Sequence, residues 1–165
     1  MGSQSTQPRG AVPDFSLTQV RGGEFHLRAA AGKPVLIAFL QTVPDTADTP
    51  SRNEAVFLLS MAHQYTPRGL AVVAIDESAL VRGRPPQRGE LINASYDWQL
   101  SFPLLDDSGN HVARRFGVVK LPTLVLIAPD GRVAQRWEGL TRPAILAQGI
   151  ERMTGGRLGE LPDLR

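Results

Sequence analysis

Polar side chains with complementary chemistry stand close together at one junction of the sequence. The stretch "FLQTVPDTADTPSRNE", residues 39–54, follows the apolar run "KPVLIAF" and precedes the helical pattern "EAVFLLSMAHQY". The side chains that could do chemistry there are Asp48, Ser51, Arg52 and Glu54. A carboxylate beside a hydroxyl could act as an acid or base, and an arginine in a first helical turn would attract an acidic small molecule. The junction could therefore be the ligand site of a non-thiol enzyme.

The same junction also has a purely structural interpretation, because every helix start leaves backbone N–H groups unpaired. Asp and Ser side chains accept hydrogen bonds from such groups. Either Asp48 or Ser51 could therefore cap a helix that begins at Arg52. The residues alone leave both interpretations open.

The chain contains no cysteine, and this excludes several kinds of chemistry. Disulfides, thiolate nucleophiles, zinc ribbons and iron–sulfur clusters all need cysteine sulfur. The histidines, His26, His63 and His111, are far apart and show no metal-ligand spacing, so neither a metal nor another cofactor is expected. The net charge of +2 is too balanced to indicate a nucleic-acid partner. No apolar run approaches the ~20 residues of a membrane span.

The elements around the junction predict an α/β sandwich. "VPDFSLTQVRGGEFHL" predicts a hairpin that turns at Gly22-Gly23, and "GKPVLIAFL" and "LAVVAID" are typical of buried central strands. A helix from Arg52 to Tyr65 connects those strands, and "ELINASYDW" and "HVARRFGV" predict two more helices. "TLVLIAPDGRVAQRWEG" predicts a second hairpin, followed by a final helix with Thr141 as its N-cap. Central strands that alternate with helices and end in an antiparallel pair indicate this sandwich.

One domain of residues 11–153 accounts for nearly all of the 165 residues. Residues 1–10 are expected to be a disordered or tag-derived tail, and residues 154–165 a C-terminal tail. The start shows no apolar signal segment. This leaves the compartment open: a full-length chain would be cytoplasmic, and a chain from which a leader had been trimmed would be extracytoplasmic.

The order of these segments resembles that of the thioredoxin-like redoxins, of the alkyl hydroperoxide reductase/thiol-specific antioxidant type. Members read A-P-D-F-x-L, a short hairpin and G-K-x-V-hydrophobic-F, similar to "VPDFSLTQVRGGEFHLRAAAGKPVLIAF". Their second half reads F-P-x-L-x-D, a short helix, G-V and x-P-T, then a strand ending in D-G, similar to "FPLLDDSGNHVARRFGVVKLPTLVLIAPDGRV". The resemblance implies a three-layer α/β/α sandwich with a mixed central sheet, an N-terminal β-hairpin and a cis-proline. Pro122 matches that proline, so the resemblance implies that the Leu121–Pro122 bond is cis and faces the reactive loop.

Two branches of that superfamily compete at the junction. Thiol–disulfide oxidoreductases of the cytochrome-maturation type read C-x-x-C-R-x-E. If Arg52 and Glu54 match R-x-E, the lost cysteines fall at Asp48 and Ser51. Peroxiredoxins read Y-P-x-x-x-T-P-x-C, which puts Arg52 at the attacking cysteine with Thr49 as the neighbouring threonine. The "KLPT" segment favours the first branch, since peroxiredoxins usually carry arginine near that point.

The resemblance and the missing sulfur together predict a cysteine-free, redox-inactive protein that binds a protein or peptide partner. In the family, the groove between the reactive loop and the x-P-T segment receives a substrate backbone, and strand-like capture needs no sulfur. The candidate groove residues are Asp48, Thr49, Ser51, Arg52, Glu54, Leu121 and Pro122. One alternative is the non-thiol enzyme that acts on an acidic small molecule, with Asp48 or Glu54 as acid/base and Arg52 as anchor. Another is an oxidoreductase or peroxidase whose cysteine was removed by engineering, with Ser51 as a cysteine-to-serine change.

Overall fold

One mixed sheet of seven strands organises the computed structural model, which describes residues 12–44 and 49–155. The strand order is β2-β1-β5-β4-β3-β6-β7. The neighbours β5, β4 and β3 run parallel, and every other neighbouring pair is antiparallel. The strands are β1 (Ser16–Gln19), β2 (Glu24–His26), β3 (Val35–Leu40), β4 (Ala71–Asp76), β5 (Leu104–Asp106), β6 (Thr123–Ile127) and β7 (Val133–Glu138).

Five α-helices lie within the same described ranges. They are α1 (Pro50–Tyr65), α2 (Ser78–Arg82), α3 (Arg88–Asp97), α4 (His111–Arg115) and α5 (Pro143–Thr154). Two short 3-10 segments, Leu27–Ala30 and Thr66–Arg68, follow β2 and α1.

Strand β3 supplies the centre of two core clusters, one on each face of the sheet. All of its side chains are buried, and they alternate between the faces because successive strand residues point in opposite directions. Leu36 and Leu40 belong to the cluster that α1, α3 and α5 cover, whereas Ile37 and Phe39 belong to the cluster that α4 covers. Burying a side chain of this size contributes roughly 1.5–3 kcal/mol. The predicted α/β sandwich with a mixed central sheet and an N-terminal hairpin is therefore confirmed.

The strand pairing brings the junction and the segment before β6 to the same edge of the sheet. In the parallel pair, Leu40 of β3 lies opposite Asp76 of β4, so both strands end at this edge. In the antiparallel pair, Phe39 of β3 lies opposite Thr123, where β6 begins. In open α/β sheets, ligands bind outside the carboxyl ends of the parallel strands. This edge is therefore where the fold places a candidate site.

Two helical details differ from the sequence prediction. Helix α5 has Arg142 at its N-cap, not Thr141. Thr141 instead donates its N–H to Glu54 and its hydroxyl to the Gly139 C=O, so its side chain is not available to cap α5. The sequence pattern also does not predict the short α2, because the prolines and glycines that follow it break the periodicity.

The predicted tail of residues 1–10 lies outside the described residues, and so does most of the predicted C-terminal tail. Within the described ranges, no helix combines the length and the apolar character needed to cross a bilayer. No group of three or more His, Cys, Asp or Glu side chains in those ranges could hold a metal ion.

Candidate functional site

Helix α1 begins at Pro50 and is capped by Thr49. The Thr49 Oγ1 accepts a hydrogen bond from the Arg52 N–H at 3.0 Å. Pro50 takes the first helical position, where its missing N–H removes no helical hydrogen bond. The prediction that Ser51 could cap this helix is therefore wrong, and Asp48, the other predicted cap, lies outside the described residues. The overlooked signal is the Thr-Pro pair, since Thr is a favoured N-cap and Pro a favoured first helical residue.

Ser51 lies inside the first turn of α1 and is only 2 % exposed. Its Oγ accepts a hydrogen bond from the Gln41 N–H at 2.8 Å. Because Gln41 directly follows β3, this bond fixes the helix start to the edge of the sheet. The Ser51 hydroxyl is thus a buried structural group and is not displayed to solvent as a nucleophile.

Glu54 joins α1 to the segment that follows β7. Its side chain is buried, at 0 % exposure, and its Oε1 accepts a hydrogen bond from the Thr141 N–H at 2.7 Å. Its Oε2 has no hydrogen-bond partner among the described residues. Burial raises the pKa of Glu54 to about 7, and the bond from Thr141 opposes that shift. Near neutral pH the carboxyl group is therefore divided between its neutral and its charged form.

Arg52 packs along the first turn of α1 and is half-buried. Its guanidinium carbon lies 5.3 Å from the centre of the Trp98 ring, at the C-terminal end of α3. A cation over an indole face contributes about 0.5–2 kcal/mol, depending on its exposure. Arg52 therefore has a packing role between α1 and α3.

The segment before β6 forms the second wall of the site. The Leu121–Pro122 peptide bond is cis, and Pro122 is buried. The Pro122 C=O accepts a hydrogen bond from the Gly139 N–H at 2.8 Å. This bond fixes the segment to the end of β7.

Two contacts bring the walls together. The Phe39–Thr123 pairing places the segment before β6 beside the end of β3, and the Gln41–Ser51 bond places α1 beside the same end. We call the space between Thr49–Glu54 and Leu121–Pro122 the groove.

The backbone of Leu121 is unpaired on this side of the sheet. Neither its N–H nor its C=O forms a hydrogen bond with another described residue. The ladder between β3 and β6 ends at the Phe39–Thr123 pair, so Leu121 lies just beyond the last paired residue. Unpaired backbone groups of this kind can pair with an incoming strand.

Large apolar side chains are exposed on three neighbouring parts of the chain: before Pro122, after Gly139 and at the start of α5. Val119 is 85 % exposed, and Leu140, which follows the residue bonded to Pro122, is 48 % exposed. Ile145 in the first turn of α5 is exposed as well. We call the residues Val119, Leu121, Leu140 and Ile145 the apolar rim.

A buried aspartate at the end of β4 fixes the start of the junction. Asp76 Oδ1 accepts hydrogen bonds from the Thr42 N–H at 3.0 Å and from the Thr42 hydroxyl at 2.6 Å. The Ser78 hydroxyl donates to the same oxygen at 2.6 Å and accepts from the Val43 N–H at 3.0 Å. Burial raises the pKa of Asp76, and the hydrogen bonds from Ser78 and Thr42 oppose that shift. The sequence marks Asp76 only as a strand end, because Thr42 lies 34 residues away and leaves no local pattern.

Glu77, the next residue, is buried in a second polar network. The Asn110 side-chain amide donates to Glu77 Oε1 at 2.6 Å. Glu77 Oε2 accepts no hydrogen bond from the described residues, and the Asp107 carboxylate faces the Glu77 carboxyl. Burial raises the pKa of Glu77 to about 10, and the interaction with Asp107 adds to the shift. Glu77 is therefore protonated at neutral pH and can donate that proton to Asp107.

Three cavities lined by described residues lie away from the predicted acid/base residue Glu54. They have volumes of about 590, 280 and 200 Å³, and neither Glu54 nor Arg52 lines any of the three. Two of the predicted groove residues, Ser51 and Glu54, are buried and do not line an open surface.

Comparison with protein families matches residues 8–136 to the AhpC/TSA family. Among curated relatives, the thiol-disulfide oxidoreductase ResA of Bacillus thuringiensis subsp. konkukian (strain 97-27) is 25 % identical over 143 residues, covering 87 % of this chain and 76 % of the relative. ResA of Bacillus subtilis (strain 168) is 24 % identical over 136 residues, covering 81 % of this chain and 69 % of the relative. The predicted resemblance to the redoxins is thereby confirmed.

Solved structures show the same fold. A putative thiol:disulfide interchange protein DsbE from Chlorobium tepidum superposes with a TM-score of 0.73 at 25 % identity, over 87 % of this chain and 94 % of that chain. A thiol-disulfide oxidoreductase from Bacteroides fragilis NCTC 9343 gives a TM-score of 0.71 at 19 % identity, over 87 % of this chain and 99 % of that chain. At its lower identity, the second structure supports the fold alone.

Proposed function

The chain belongs to the AhpC/TSA family, and from that premise we propose that it is a redox-inactive member that binds an extended segment of a partner protein. The segment lies in the groove between Thr49–Glu54 and Leu121–Pro122, with its backbone along Leu121. The apolar rim contacts its side chains. Asp48 stays a predicted groove residue, since it lies outside the described residues.

The loss of sulfur chemistry follows from composition. Thiol–disulfide exchange requires a thiolate that attacks a disulfide, and the chain has no cysteine. On the oxidoreductase register, the second cysteine position is occupied by Ser51, whose hydroxyl is buried and bonded to the Gln41 N–H. A serine in this position has neither the acidity nor the exposure that a nucleophile would need.

The observation that carries the proposal is the unpaired backbone of Leu121. One N–H and one C=O on the same residue can pair with a single residue of an incoming strand, as in β-strand addition. Each such hydrogen bond contributes only about 0.5–1.5 kcal/mol net. Backbone pairing alone is therefore too weak for a stable complex, and side-chain contacts must supply the rest.

The apolar rim can supply those contacts. Burial of each 100 Å² of apolar surface contributes about 2.5 kcal/mol. Val119 and Leu140 stand exposed on the two segments that the Gly139–Pro122 bond joins, so one incoming strand can contact both. Apolar side chains that flank a free strand edge support a protein-binding surface.

A non-thiol enzyme is the second candidate, and one observation favours it. Glu54 has a pKa raised to about 7, which suits an acid or base near neutral pH. Its carboxyl is nevertheless 0 % exposed, and one oxygen is bonded to the Thr141 N–H. A substrate could not contact this carboxyl without movement of the residues that bury it, so the binding function is the better supported of the two.

The test is capture of a partner at the rim. A photo-crosslinking amino acid at Val119 should capture a partner in the native host, and the same group at the exposed Arg28, beyond the opposite end of β3, should not. The purified partner should then bind the Leu140→Asp variant much more weakly than the wild-type chain, and bind Val81→Asp normally. Val81 is equally suited as an apolar control because it is exposed on α2. Equal crosslinking at both sites would contradict the proposal, and so would insulin reduction or peroxide consumption above background.

A further inference from the structure

We propose that the partner segment is acidic as well as apolar, and that it places a carboxylate on Lys120 while its apolar side chains contact Val119 and Leu140. This inference rests on the proposed function, because it names the chemistry of the segment that the groove would bind. It adds a determinant of specificity that Leu121 backbone pairing cannot provide, since backbone groups are the same in every sequence.

In the sequence, Lys120 lies between two residues of the apolar rim, Val119 and Leu121. Its side chain is exposed. Its Nζ lies 3.5 Å from the point that a Cβ on Gly139 would occupy. The ammonium group therefore lies beside the end of β7, next to the residue that precedes Leu140.

The Lys120 ammonium forms no ion pair with a described residue. Glu138 is the acidic residue nearest in the chain on the β7 side, and it pairs with Arg136 at 3.2 Å. The other acidic group behind this edge, Glu54, is buried and has a pKa raised to about 7, so it is only partly charged. The Lys120 ammonium group is therefore available to pair with a carboxylate of a partner.

A second exposed cation, Arg142, lies two residues after Leu140 in the sequence. Arg142 follows the Thr141 that bonds Glu54, and it occupies the N-cap position of α5. It also forms no ion pair with a described residue. Two unpaired cations next to the apolar rim favour a segment with acidic and apolar residues over a basic or a neutral polar one.

Alternation along a strand makes the two kinds of contact compatible. Successive side chains of an incoming strand point to opposite sides, so a carboxylate and the apolar side chains on either side of it have different directions. The partner motif expected from the rim is therefore an acidic residue within a short apolar segment. A cluster of acidic residues alone would not cover Val119 and Leu140.

Selection from a random peptide library displayed on phage tests this inference. The full chain is immobilised as wild type, Lys120→Glu and Lys33→Glu. Lys33 is the other lysine of the sequence, is exposed and precedes β3 at the opposite end of the sheet, so its variant makes the same charge change away from the groove. Wild type and Lys33→Glu should select acidic apolar peptides, and Lys120→Glu should lose that preference and select basic ones.

A peptide selected on the wild-type chain should bind Lys120→Glu about tenfold more weakly or worse, because a charge-assisted hydrogen bond is replaced by repulsion. Its affinity for Lys33→Glu should stay within about twofold of wild type. Selected peptides without acidic enrichment, or with the same enrichment on Lys120→Glu, would overturn the inference and leave the proposed function standing. Failure to select any peptide above the level of a Val119→Asp/Leu140→Asp double variant would overturn both.

Discussion

Glu54 and Thr141, far apart in the sequence, are joined by a hydrogen bond of 2.7 Å between the Glu54 carboxyl and the Thr141 N–H. The bond connects the first turn of α1 to the segment that leads from β7 into α5. Leu140 of the apolar rim lies in this segment and is exposed. The buried carboxyl therefore fixes the segment that carries Leu140, which the binding proposal places in contact with a partner.

The free energy of unfolding should depend on pH through Glu54. The pKa of this group in the folded chain, about 7, lies above its ordinary value of 4.5, so the folded state holds the proton more tightly. That proton stabilises the folded state fully below pH 4.5, and this stabilisation is lost as pH rises through about 7. Above that range, Glu54 contributes no further change to the free energy of unfolding. Urea titrations of wild type and Glu54→Gln across the whole range measure this pH dependence. As pH rises, the free energy of unfolding of wild type should fall relative to that of Glu54→Gln. If the two profiles stay parallel across the range, the raised pKa of Glu54 is contradicted.

Ser51→Ala should destabilise the chain by about 1–3 kcal/mol, because the Gln41 N–H would lose the buried Ser51 hydroxyl, its hydrogen-bond acceptor among the described residues. Ser60→Ala on the same helix is the matched control, since Ser60 is exposed. The control should change the free energy of unfolding by less than about 0.5 kcal/mol. Equal effects of the two substitutions would show that the Ser51 hydroxyl is not a structural group.

Thr49→Ala should cost about 1 kcal/mol of unfolding free energy, because the variant removes the cap of α1. Thr49→Ser keeps a hydroxyl that can accept from the Arg52 N–H and should recover most of the loss. Chemical denaturation of the three proteins gives the comparison. A Thr49→Ser variant as unstable as Thr49→Ala would mean that the methyl group, and not the cap, is what matters.

Glu77 should make the chain less stable at high pH. The pKa of the group rises from 4.5 to about 10 in the folded chain, so the stability that its proton provides continues to fall as pH rises towards 10. Glu77→Gln keeps an oxygen for the Asn110 amide and can donate to Asp107 at any pH. Between pH 7 and pH 10, the thermal midpoint of wild type should therefore fall relative to that of Glu77→Gln (the interval follows from the pKa of about 10). A constant difference across the interval would contradict a protonated Glu77.

The fold could be predicted from the sequence because its elements have local signals. The continuous apolar run of β3, the helical periodicity that ends at Tyr65 and the Pro129-Asp130-Gly131 turn each determine their structure from neighbouring residues. The order of those segments then led to the redoxin family, which the family comparison supports.

The candidate site could be predicted only in outline. The sequence shows that Ser51 and Glu54 belong to the junction. It does not show that they are buried, because their partners Gln41 and Thr141 belong to other segments of the fold. The Asp76 network has no signal in the sequence for the same reason, since the Thr42 that Asp76 binds lies in the segment after β3, 34 residues away. A sequence motif shows which residues stand near one another in the chain, and a pattern of hydrogen bonds between elements has no such signature.

The most direct test of the binding proposal is hydrogen exchange at the Leu121 amide, with and without a peptide selected on the wild-type chain. The free amide has no hydrogen-bond partner among the described residues and should exchange rapidly. When the peptide adds as a strand, the Leu121 amide should slow by tenfold or more, about the protection that one stable hydrogen bond provides. An amide that exchanges at the same rate with the peptide bound, while protection appears elsewhere, would contradict binding in the groove.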